Sequence, residues 1–220
     1  MTGNWVLFFE GIHRTGIAVA TILFHIQPFF VVALGAVIFL ERLHPVALLW
    51  ICLALAGLTL SSGLTDAEIS GNASALIGIA CTLAAAFFYA LVTVIAKGLT
   101  SIKASQLALV QCICGVLMLF AVTPLTPTSL GPGQWIWLAV IGIVHTGGVY
   151  VILYNALPKL STPVIAVLLF LYPATAVVVD ALAYGHLISR LQLGGLLLIM
   201  VASLGVTLRW GMREKQITLA

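Results

Sequence analysis

Charge is what this sequence has least of. Only 7% of its 220 residues are Asp, Glu, Lys or Arg, against about 25% in an average soluble domain. So few polar side chains cannot cover a water-facing surface. The 62% apolar content and mean hydropathy of +1.22 leave lipid as the solvent for most of the chain. Basic clusters are missing too: the nine Lys and Arg behind the net charge of +3 are scattered singly, which excludes the phosphate-binding patch that a nucleic-acid partner needs. Cys52, Cys81, Cys112 and Cys114 fall inside apolar runs and lack Cys-x-x-Cys spacing, so they read as small buried hydrophobes, not metal or redox ligands. There is no Walker loop, no Gly-x-Ser-x-Gly elbow and no His-Glu-x-x-His pair. Nothing calls for a cofactor or a metal. Met1 to Glu10 carries no basic residue ahead of its apolar stretch and does not read as a secretory signal peptide.

What the sequence does have is length in its apolar runs. A spanning helix needs about 20 apolar residues, and seven runs qualify, at roughly residues 16–40, 46–64, 74–96, 104–125, 134–157, 161–185 and 191–210. Ahead of them, Asn4 to Ile12 is too short to span and reads as the second half of a helix. The expected fold class is therefore an all-α integral membrane protein, a polytopic helical bundle with seven full transmembrane helices plus a partial one. Its connections are short and carry turn residues, as in Thr65-Asp66-Ala67-Glu68 and Thr126-Pro127-Thr128-Ser129. Counting basic residues on alternate sides puts Arg42, Lys97, Lys103, Lys159, Arg209, Arg213 and Lys215 on one face, with Arg14 and Arg190 on the other. Positive charge stays inside, so the carboxyl terminus is expected in the cytoplasm and the Asp66–Glu68 loop outside.

The runs also repeat. Residues 5–60 align without gaps onto 150–205 at a constant offset of 145, with Pro28 on Pro173, Arg14 on Lys159, Trp5 on Tyr150 and Phe9 on Tyr154. An odd number of spans separates equivalent points, so the copies are expected in opposite orientations. Such inverted repeats are characteristic of secondary transporters.

Within that frame Ile26-Gln27-Pro28-Phe29-Phe30, followed by Glu41-Arg42-Leu43-His44-Pro45, resembles the EamA-type drug/metabolite transporter superfamily, whose signature has Glu-Arg-Leu-x-Pro at a cytoplasmic helix end. The second copy is similar in Leu171-Tyr172-Pro173 and Tyr184-Gly185-His186, although His186 stands where many members have Glu. The resemblance implies ten helices in two inverted five-helix repeats. On that pattern the seven runs are helices four to ten, Asn4 to Ile12 ends helix three, and helices one and two are absent, through an upstream start or a loss. Residues 1–64 would be the C-terminal part of the first repeat, 72–210 the second repeat and 211–220 a short cytoplasmic tail.

Ionisable and polar groups at membrane depth are costly, about 2.5–3.5 kcal/mol per charge on insertion scales, and are default candidates for function. Glu10 aligns with Asn155; it reads either as a protonatable cavity group or as an interfacial charge paired with Arg14 one turn on. His25 and Gln27 flank Pro28, whose missing N–H frees the Phe24 carbonyl, and Tyr172 precedes Pro173 in the other copy. These read as the edge of a substrate cavity or as structural kinks with bonded polar neighbours. His145 lies beside Thr146-Gly147-Gly148, as a proton relay or a packing histidine. Asp180, Gln106 and Gln111 carry less weight. Glu41 and Arg42 would anchor a helix end or lock one conformation.

The leading expectation is a carrier of small organic metabolites or drugs, working by alternating access, in a bacterial inner membrane and without enzymatic chemistry. The alternative is a truncated or non-transporting membrane protein acting as a structural or assembly partner. An intramembrane enzyme would need a catalytic set that His25 and His145 alone do not supply. The partners implied are the lipid bilayer and a small-molecule substrate, with a homo-oligomer left open and nucleic acid excluded.

Overall fold

The computed structural model describes residues 1–41, 44–61, 73–122, 131–184 and 189–212. They form helices joined by turns, with no strand among the described residues. The order is α1 (Thr2–Thr15), α2 (Ile17–Phe24), α3 (Gln27–Phe39), α4 (Pro45–Ser61), α5 (Ala73–Gly98), α6 (Ala104–Val122), α7 (Pro132–Val140), α8 (Val149–Ala156), α9 (Thr162–Leu168), α10 (Leu171–Tyr184) and α11 (Arg190–Thr207). Eight π-helical residues, Ile141–Gly148, join α7 to α8 without interruption.

Backbone polar groups in lipid must be satisfied within their own segment, which is why apolar runs of this length fold as helices. Five stretches among the described residues are long and apolar enough to cross a membrane: Val19–Phe39, Ala73–Gly98, Pro132–Lys159, Thr162–Val179 and Arg190–Thr207. Pro45–Ser61 and Ala104–Phe120 are apolar but shorter. Each of the seven expected runs is largely helical over its described residues, and five stretches, not seven, reach full spanning length among them. The amino-terminal fragment is longer than Asn4 to Ile12, extending over Thr2–Thr15. It ends because Gly16 takes φ 82°, a backbone conformation that side chains with a Cβ disfavour.

Two of the spans are broken in the same way. The helix from Ile17 stops at Phe24 and restarts at Gln27, with Pro28 in the first turn of α3; the helix from Thr162 stops at Leu168 and restarts at Leu171, with Pro173 in the first turn of α10. A first-turn proline costs nothing there, because its N–H would have no partner within the new helix. The two prolines stand at the offset of 145 and the breaks within one residue of it, and other features recur at it. Trp5 and Phe9 stack at 5.8 Å, and Tyr150 and Tyr154 lie 5.7 Å apart. Ile51, Ala54, Gly57, Leu58 and Ser61 are buried on α4, and their equivalents Leu196, Ile199, Ala202, Ser203 and Val206 are buried on α11.

These two helices pack on each other along that face. A Cβ on Gly57 would stand 2.7 Å from the Gly195 carbonyl oxygen, so the backbones meet without intervening side chains. α3 and α9 also touch and contribute to both apolar clusters, one shared with α4, α10 and α11, the other with α5, α6 and α8. The broken helices therefore occupy the middle of the bundle. α1 lies along α5, where a Cβ on Gly78 would stand 2.7 Å from Arg14 Cβ.

The cysteines depart from expectation. Cys52 and Cys114 are exposed, Cys81 and Cys112 half-buried. In lipid a thiol on the outer face is as well solvated as one inside, so burial is not enforced.

Candidate functional site

The ends of the bundle sort the charges. Arg14 Nη1 donates to Ser74 Oγ at 3.4 Å, which places Arg14 at the start of α5. Lys97, at the other end of α5, pairs with Glu41. Glu41 accepts also from the Thr162 hydroxyl and, at 3.2 Å, from the Thr162 N–H at the start of α9. α2 thus starts at the Arg14 end and its equivalent α9 at the Lys97 end: the two broken helices run in opposite directions. Lys103 and Lys159 line one depression near the Lys97 end, together with Thr100 and Asn155, of about 320 Å³.

Glu41 is positioned locally by Leu40, which caps α3 in the left-handed region at φ 53° and turns the chain back over the helix end. Partial burial pushes its carboxyl up, but bonds from the Lys97 ammonium and from the Thr162 hydroxyl and N–H outweigh this and hold it below the ordinary value near 4.5. The Lys97 ammonium also sits 4.8 Å from the Phe39 ring centroid. Arg42, the other half of the expected motif, lies outside the described residues, as does His186.

Around the break before Pro28 the structure gathers aromatic rings. Phe24 packs against Phe8 at 4.6 Å and Tyr89 at 5.8 Å, and His25 faces Phe170 at 6.1 Å. His25 is buried, and its Nδ1–H donates to the Thr21 carbonyl at 2.6 Å. Gln27 is 4% exposed, and its Oε1 has no hydrogen-bond partner among the described residues. An unpartnered buried amide oxygen costs about 1–3 kcal/mol, so it marks a place where a donor is missing. Tyr172, beside Pro173 at the other break, is 70% exposed.

The remaining sequence-derived candidates lie elsewhere. Glu10 pairs with Arg14 one turn on, at 2.6 Å. Asn155 is exposed and donates to its own Val151 carbonyl at 3.0 Å. His145 is exposed in the π-helical stretch. The side chain of Asp180 is outside the described residues. Gln106 caps the start of α6 by accepting from the Lys103 N–H at 3.3 Å.

A larger cavity of about 420 Å³ opens between α1, α5, α6 and α8, lined by Asn4, Phe88, Leu91, Gln111, Cys114 and Tyr154. The Tyr154 hydroxyl donates to Gln111 Oε1, and Asn4 Nδ2 donates to the Ala85 carbonyl at 2.8 Å. Sequence reasoning gave these residues little weight, because Gln111 and Tyr154 are 43 positions apart and Asn4 lies 81 from its partner. The polar positions on α6 and the aromatic pair on α8 were visible; their meeting was not.

Residues 1–63 and 76–208 match the family described as the EamA-like transporter family. The chain is 31% identical over 210 residues to the uncharacterized transporter YxxF of Bacillus subtilis (strain 168), a match that covers 93% of this chain and 66% of that protein. It spans just under two thirds of that relative's length. A solved structure titled only "Crystal structure of protein" superposes with a TM-score of 0.81 at 17% identity, over 94% of this chain and 74% of the other. That likeness shows the fold. With its several apolar helices this is a multi-pass membrane protein, and the chain belongs to the EamA-like transporter family.

Proposed function

We propose that the chain serves as a carrier of small organic metabolites or drugs by alternating access between two inverted repeats, in a bacterial inner membrane with its carboxyl terminus in the cytoplasm. The observation that carries this reading is the pair of broken helices, equivalent at the offset of 145, antiparallel and in contact at the centre of the bundle. Discontinuous helices at membrane depth commonly line the solute site of secondary transporters. Next to one break stand the unpartnered Gln27 Oε1, His25 and the Phe24–Tyr89 rings. The proposed substrate contacts are His25, Gln27 and Tyr172 at the breaks. Glu10, His145 and Asn155 are outlying candidates, with Glu10 neutralised by its own neighbour. Transport without bond chemistry fits a site holding amides, phenols and one imidazole.

The domain reading follows: residues 1–64 contribute the closing part of the first repeat, 72–210 the second and 211–220 a cytoplasmic tail. Lys97, Lys103 and Lys159 gather at one end, which supports assigning that end to the cytoplasm. A second reading, a structural or assembly partner without transport of its own, is favoured by one observation. No residue in the apolar window of Pro132–Lys159 is fully buried.

The deciding experiment is reconstitution of the purified chain in proteoliposomes. Small organic solutes that raise its melting temperature are then tested in counterflow. Saturable counterflow, lost in Gln27→Leu with the fold intact, is expected; a folded protein that neither binds nor moves any solute in the panel sinks the carrier reading and leaves the assembly partner.

A further inference from the structure

The Glu41 carboxylate ties three separately anchored elements. It follows α3, which belongs to the first repeat. Its oxygens accept from Lys97 at the end of α5, and from the hydroxyl and N–H of Thr162 at the start of α9. Thr162 is fully buried, and α3 comes down on it at Gly35, where any Cβ would collide with the Thr162 side chain. Both partners are therefore held against α3 at short range. Charged hydrogen bonds are directional and shared among three elements, so none of those elements can move away from the others without breaking one.

At the opposite end, among the described residues, the carboxylate is Glu10, which pairs with Arg14 on its own helix. The position equivalent to Glu41 is His186, and the position equivalent to Thr162 is Ile17, 69% exposed and without a hydrogen-bonding side chain. At the positions equivalent to Glu41 and Thr162 the other repeat therefore carries neither a carboxylate nor a hydroxyl. We infer that Glu41 is an ionic latch that seals the Lys97 end of the bundle in its resting state, and that its release lets the ends of α3 and α9 part. The inference rests on the alternating-access reading, to which it adds which end is closed at rest and which residues close it.

The test reads distance and needs no substrate. Spin labels are placed at Ile38→Cys and Ser161→Cys, near the ends of α3 and α9, with Cys52, Cys81, Cys112 and Cys114 replaced by alanine. Pulsed dipolar distances are then recorded in proteoliposomes. The labelled parent is expected to show one narrow short distance. Glu41→Gln and, independently, Lys97→Met are expected to add a longer-distance population, shifting the long-to-short ratio by about tenfold or more, the effect of losing a charged hydrogen bond. Thr162→Val is expected to move it the same way by less.

Distributions superimposable on the parent in both Glu41→Gln and Lys97→Met would overturn the latch, whatever transport assays report. A lowered melting temperature with unchanged distances would overturn it too, since that assigns Glu41 a purely structural tie. Should Glu41→Gln fail to fold, Lys97→Met decides alone. Loss of counterflow with the latch distances behaving as expected would instead count against the carrier reading.

Discussion

At the scale of single residues, Glu41 shows how an expensive charge survives at the edge of a lipid-solvated bundle. Its position costs solvation, and the Lys97 and Thr162 donors more than offset that cost, so the carboxyl titrates below its ordinary value. A carboxylate with a depressed native pKa contributes stability that is present above the unfolded value and lost as the pH falls through the native one. Lys97 is the charged group facing it from α5, and α9 presents Thr162, which does not titrate. Wild type is therefore expected to melt above Glu41→Gln at neutral pH, with the gap closing as the pH drops below about 4.5. Melting curves of the two proteins across pH 3–8 in detergent, the range bracketing ordinary carboxylate titration, check this; a gap that persists at the acid end contradicts it. Glu10, bonded to Arg14, is a different case. Glu10→Gln is expected to leave the pH dependence of transport unchanged, and a flattened pH profile would return it to the mechanism.

At the scale of elements, close backbone approach and broken helices do opposite things. α4 and α11 meet where Gly57 and Gly195 leave room for each other's backbone. Gly195→Val forces a side chain into that seam and is expected to destabilise the protein by about 1–3 kcal/mol, the usual range for overpacking. The readout is a lowered melting temperature, with no drop showing that the helices can slide apart at no cost. The breaks before Pro28 and Pro173 instead interrupt the two helices at the centre of the bundle. Pro28→Ala supplies an N–H in the first turn of α3 and lets the helix run on from α2. Melting is expected to hold or rise while counterflow falls about tenfold, a trade of flexibility for stability. Counterflow at the parent rate would mean that the break is only a packing feature.

At the scale of the whole molecule, the arrangement of charge at the two ends makes a topological statement. α6 carries the chain from the Lys103 end toward residue 131. Reporter fusions after Lys103 and after Gly131 are expected on opposite sides of the membrane, with the Lys103 site cytoplasmic; both on one side would remove a span from the bundle. The anchoring of α1 to α5, through the Asn4 bond and the Gly78 contact, gives the amino-terminal helix a place in the fold although it is shorter than a span.

Hydropathy by itself determined that the chain is a helical membrane protein, because a lipid solvent admits only segments that satisfy their own backbone. The offset of 145 and the two prolines placed the helix breaks to within a few residues, since a proline without an N–H leaves a helix few alternatives. The site was only half legible. His25 and Gln27 stand next to a proline and could be named from the string, but Glu41 meeting Lys97 and Thr162 could not, nor could Tyr154 meeting Gln111. Nor could the sequence tell that Asn155 turns to a local partner, although for Glu10 it named Arg14 as one of two readings. Pairings across 43 to 121 positions depend on which faces of apolar helices meet. Helices that are apolar all round carry little amphipathic signal to say which face that is, so side-chain packing between them made the choice.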